Sequence, residues 1–82
     1  MDIEKKAMLS RVEKLDFTID SINKQFKGKV FDTVTLLDAF HDYFGGVLDI
    51  EELEAHIEFN LLGLYSIERF KSGTQLRLIK LS

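Results

Sequence analysis

The chain contains no cysteine and no proline among its 82 residues, and only five glycines. Without cysteine there can be no disulfide framework and no cysteine-ligated zinc or iron–sulfur site. With proline absent and glycine scarce, few positions break regular structure. No apolar run exceeds three residues, so no stretch reads as a transmembrane span. Met1-Asp2-Ile3-Glu4-Lys5 does not open a signal peptide, because no apolar stretch follows it. The expectation is a cytoplasmic protein with no membrane association. The length leaves room for one domain, 1–82, and no more.

Catalytic signatures are equally scarce. There is no glycine-rich phosphate loop and no Ser-His-Asp arrangement, and the carboxylate pairs fall on solvated helix faces. The expectation is a non-enzyme with no cofactor and no metal. His41 and His56 lie 15 residues apart on separate elements and read as ordinary histidines rather than metal ligands. The stretch His41–Glu52 brushes against a calcium-loop pattern. Its first ligand positions would be His41, Tyr43 and Gly45, which bring no carboxylate.

What is present is ordinary for a globular domain: 45% hydrophobic residues, 30% charged, and nine aromatics counting seven Phe and two Tyr. Burial and chain entropy nearly cancel at this size, so self-association would supplement a small core. The charge is unevenly placed. Residues 1–29 carry seven Lys/Arg against five Asp/Glu, a balance of +2. Residues 30–67 hold eight Asp/Glu and no Lys or Arg, a balance of −8. Residues 68–82 return to +3, with four basic residues and one acidic. Such a field biases which partners approach.

Along the chain, Met8, Val12, Leu15, Ile19, Ile22 and Phe26 recur at helical a/d spacing. This predicts a helix over about residues 2–27, ended near Gly28 and kinked near Asp16. The alternative is a second helix starting at Asp16. Phe17, opposite the seam, argues for the break. The same six residues form a candidate dimerisation seam. Lys29-Val30-Phe31 is a candidate short strand. A second helix is expected over about Thr33–Phe44, capped by Asp32 or Thr33 and stopped by Gly45-Gly46. A third begins at Asp49, where Asp49-x-x-Glu52 has capping-box form, and runs to Gly63. Its expected inward stripe is Ile50, Leu53, Ile57, Leu61 and Leu64. Leu64–Phe70 and Thr74–Leu81 then read as a hairpin turned through Lys71-Ser72-Gly73-Thr74, with Ile67 opposite Leu78 and Glu68 opposite Arg77.

This order of elements resembles the winged helix-turn-helix family over nearly the whole chain. The segment from Gly63 through the wing, Leu64-Tyr65-Ser66-Ile67-Glu68-Arg69-Phe70-Lys71-Ser72-Gly73-Thr74-Gln75-Leu76-Arg77-Leu78, is most similar to it. The resemblance implies an α+β winged-helix-like fold of three helices and a C-terminal hairpin. It also implies a third helix that enters the major groove and a wing that touches backbone or minor groove. Here, however, the matching helix, Asp49–Asn60, holds five carboxylates and no Lys or Arg. A duplex backbone repels such a helix, and base readout has only Asn60 to use. A protein partner is therefore expected, bound through Glu52, Ala55, His56, Phe59 and Leu62 on the back of the third helix. The alternative is a DNA-binding regulator using Arg69, Lys71 and Arg77 of the wing together with the basic first helix.

Overall fold

A computed structural model describes residues 9–70 and 73–81 of the chain. Its first helix, α1, spans Arg11–Phe26 and starts on a reciprocal capping box. The Ser10 hydroxyl accepts from the Glu13 N–H, and the Glu13 carboxylate accepts from the Ser10 N–H, each at 3.1 Å. Two of the orphan donors that a helix start leaves are satisfied in this way. The helix runs through Asp16 without a break and ends at Lys27, which takes the left-handed conformation, followed by Gly28 at φ 74°. The Gly28 N–H bonds back to the Asn23 carbonyl at 3.2 Å.

Strand β1, Phe31–Asp32, starts two residues later than expected and ends one later, and leads directly into α2, Thr33–Phe44. Asp32 is the N-cap of α2, its side chain accepting from the Val34 N–H at 2.9 Å. Gly45, at φ 73°, closes the helix in the left-handed conformation that glycine adopts without strain. Helix α3, Ile50–Asn60, is capped by Asp49. It is followed by β2, Tyr65–Arg69, and β3, Gln75–Lys80.

The three strands form one antiparallel sheet in the order β1-β3-β2, so the last strand sits between the other two. The hairpin register pairs Ile67 with Leu78 and Glu68 with Arg77, as the sequence predicts. The turn residues Lys71 and Ser72 lie outside the described residues. Strand β1 pairs with β3 through Phe31–Leu76 and Asp32–Gln75. With three described helices, the result is an α+β fold compatible with a winged-helix-like order of elements.

The core gathers one face from each element: Leu15, Ile19 and Ile22 of α1, Phe31 of β1, Leu36 and Phe40 of α2, Leu53 and Ile57 of α3, and Leu76 and Leu78 of β3. The expected dimer seam lies largely within the chain's own core. Leu15, Ile19 and Ile22 are buried within a single chain, Phe26 packs on that core and stacks against Phe31, and Val12 is exposed. Met8 lies outside the described residues. Helices α2 and α3 and the sheet already cover the apolar stripe, so a second copy is not needed to cover it. Phe17 is covered as well, by the aromatic end of α2. Its ring meets Tyr43 and Phe44 edge-on at 5.5 and 5.8 Å between centroids, a favoured aromatic geometry. Phe17 therefore required no break in the helix.

Candidate interaction face and groove

The residues singled out on α3 divide between its two sides. Ala55 and Phe59 of α3 face outward, with Phe59 at 70% exposure, and Leu62 at 68% lies just past the helix, which ends at Asn60 rather than at Gly63. No part of α1 covers them. His56 is the exception. The expected stripe placed Ile50 inward and His56 on the flank of the patch; Leu53, Ile57 and Leu61 are inward as expected, but Ile50 in the first turn is not and His56 is. Ile50 is exposed, whereas His56 is buried at 3% beside Leu53 and Ile57. The reason is polar. The Asn60 amide donates to His56 Nδ1 at 3.0 Å, and His56 Nε2–H donates to Asp16 Oδ1 at 2.8 Å. A buried imidazole with both nitrogens bonded avoids the cost of desolvation without partners.

Glu52 also belongs to the fold more than to the patch. Both of its carboxylate oxygens bond Arg11 of α1 at 2.8 Å, and the same guanidinium reaches the Val47 carbonyl at 3.1 Å and lies over the Phe40 ring. The bond to Arg11 holds the Glu52 carboxyl below its usual range. Glu54 pairs with Arg69 of β2. Glu51 and Glu58 are exposed and pair with no cation among the described residues. The outward face of α3 is thus an apolar centre of Ala55, Phe59 and Leu62 with unneutralised carboxylates beside it.

The residues expected to touch nucleic acid are placed differently. Arg69 is held by Glu54 and the Gly73 carbonyl, and Arg77 by Glu68 at 2.6 Å. Lys71 lies outside the described residues. On α1, Arg11 is committed to Glu52, Lys14 lies over the Phe44 ring and Lys24 pairs with Asp20 at 3.0 Å. Most of the cations that would meet a phosphate backbone therefore already face an internal partner.

One feature has no counterpart in the sequence reading. A groove of about 350 Å³ opens between α1 and the segment joining α3 to β2, lined by Asp16, Phe17, Asp20, Leu61, Leu64, Tyr65 and Lys80. Tyr65 Oη–H donates to Asp20 Oδ1 at 3.1 Å, and Lys80 Nζ approaches the same oxygen at 3.4 Å. Burial pushes the Asp20 carboxyl up, but the bonds from Lys24 and Tyr65 and the charge of Lys80 outweigh it and hold the group below its usual range. Burial and the neighbouring Asp20 charge push the Tyr65 phenol up to about 12, so it stays a donor at neutral pH. The Asp16/Asp20 pair at helical spacing beside Phe17 was the available sequence signal. The partners across the groove come from residues some 40 or more positions away.

No group of three or more His, Asp or Glu is placed to hold a metal among the described residues. No helix among them is long and apolar enough to cross a membrane. No protein-family model, no curated protein and no solved structure matches this chain.

Proposed function

We propose that the chain is a small non-enzymatic interaction module, of winged-helix-like architecture, that binds a protein partner through the outward face of α3. The observation that carries this reading is the exposure of Phe59, at 70%, on a helix with no Lys or Arg, and of Leu62, at 68%, just past its end. Large apolar side chains grouped on a surface mark interaction sites more often than chance, and an aromatic anchor typically dominates such contacts. Glu51 and Glu58 favour a basic rim on the partner, which raises the association rate more than the affinity. The DNA-binding alternative is weakened by the internal pairing of Arg69 and Arg77 and by the acidity of α3.

The test is affinity capture from native lysate, with and without nuclease, using the wild-type chain and Phe59→Ala. Loss of an exposed ring costs less than about 0.5 kcal/mol of stability, whereas loss of an interface anchor costs about 2 kcal/mol or more of binding. The expected result is a nuclease-resistant partner that Phe59→Ala releases while the thermal midpoint stays near wild type. Ile79→Ser, on the outer face of the sheet where Ile79 is half-exposed, should leave capture intact. If capture survives Phe59→Ala, or the partner vanishes with nuclease, this face is not the protein-binding surface.

A further inference from the structure

The groove beside α1 carries a carboxylate that its described surroundings leave half open. Asp20 is fully engaged by Tyr65, Lys80 and Lys24. Asp16 is not. Among the described residues its bond is from His56 Nε2–H to Oδ1, at 2.8 Å. The other ring nitrogen of His56, Nδ1, takes the Asn60 amide at 3.0 Å. Among the described residues Asp16 Oδ2 accepts no hydrogen bond, and half of the side chain, 49%, is exposed. Beside this carboxylate stand two aromatic rings, Phe17 and Tyr65, and two aliphatic side chains, Leu61 and Leu64. An anion with one vacant oxygen, at the mouth of an aromatic-lined groove, is complementary to a flat monocation.

We propose that this groove is the socket for an arginine side chain of a protein partner, with Asp16 as its counter-ion. The guanidinium is planar and weakly hydrated, so it can lie against Phe17 or Tyr65 while its N–H groups reach Asp16 Oδ2. An ammonium is compact and strongly hydrated and gains less from aromatic walls. His56 acts as a positioning residue. By holding Oδ1 from within the core it fixes the carboxylate rotamer before binding, which lowers the entropy lost on association. The inference rests on the proposed protein partner for the source of the arginine, while occupancy of the groove by a guanidinium is measurable without that partner.

The experiment titrates the full chain with Nα-acetyl-argininamide and follows backbone amides by two-dimensional NMR. Saturable shifts are expected at Asp16, Phe17, Leu64, Tyr65 and Lys80. The neutral isostere Nα-acetyl-citrullinamide should bind about tenfold or more weakly, the value of one charge-assisted hydrogen bond, and Nα-acetyl-lysinamide should fall between. Asp16→Asn keeps an acceptor for His56 Nε2–H and should remove the preference for arginine over citrulline. Phe59→Ala should bind the probe as the wild type does, so failure of the α3 face and failure of the socket are read separately. Equal binding of citrullinamide, shifts centred on Glu51 and Glu58, or a preference that survives Asp16→Asn would overturn the proposal. Lysinamide binding as tightly as argininamide would overturn the commitment to arginine. The wild-type ratio of arginine to citrulline decides the matter even if Asp16→Asn fails to fold.

Discussion

Arg11 is one of seven basic residues in the first 29, and by composition it belongs to a solvated face. In the fold it joins the start of α1 to the start of α3, with two bonds to Glu52, one to Val47 and its guanidinium over Phe40. Its partner Glu52 and the groove residue Asp20 both have carboxyl groups held below their usual range. A group depressed in the folded state stabilises fully above its unfolded value, about 4 for a carboxylate. That contribution is lost as pH falls through the lower folded value. The thermal midpoint should therefore be flat between about pH 7 and 5 and fall below about pH 4. Both side chains are about a third exposed, so solvent screening limits each pair to under about 1 kcal/mol. Glu52→Gln should make the acid limb shallower, as melts across this range would show. A midpoint that rises on acidification would contradict the ion pairs.

At the scale of the element, α1 and α3 show how far periodicity reaches. The a/d spacing of α1 locates its buried stripe correctly but does not say what the stripe packs against. In the fold Ile19 is 1% exposed inside the chain's own core. Ile19→Asp should therefore unfold the protein rather than separate two copies, since a buried unpaired charge costs about 3–5 kcal/mol or more. Circular dichroism and sedimentation together check this. A folded monomeric variant derived from a dimeric wild type would restore the seam as an interface. On α3, apolar periodicity places Leu53 and Ile57 inward correctly and favours Ile50 as well, but Ile50 is exposed, and His56, bonded by Asp16 and Asn60, joins the buried face instead. A polar residue that finds its partners can outweigh one more aliphatic contact.

For the whole molecule, the decisive property is where charge remains once internal pairs are made. The described basic residues of α1 and of the hairpin largely face carboxylates or aromatic rings, while Glu51 and Glu58 on α3 pair with no cation among the described residues. A surface of this kind releases few counterions from DNA. Gel shifts with duplex DNA should show weak binding that varies little with sequence. The dependence of log affinity on log salt should be shallow, with a slope of about −2 or smaller in magnitude, corresponding to one or two phosphate contacts. Nanomolar, sequence-selective binding at physiological salt would mean that the internal pairs open to meet the phosphate backbone.

The sequence by itself determined the order of the elements and the hairpin register. Each follows from local causes: apolar spacing at period 3.6 or 2, caps at Asp32 and Asp49, and glycine at Gly45. The Ser10–Glu13 capping box was equally local and legible, and it sets the start of α1 at Arg11 rather than near residue 2. Only the tertiary structure decided that His56 joins the buried face of α3, that the α1 stripe is filled from within, that Phe59 and Leu62 are left uncovered, and that Arg69 and Arg77 are spoken for. The Asp16–His56–Asn60 chain and the Tyr65–Asp20 bond belong to the same class, because their α1 partners stand 40 and 45 residues from His56 and Tyr65. Such pairings have no periodicity to betray them. They depend on how three helices and a sheet come together, and the free energy of a buried hydrogen bond is settled only when its partner arrives.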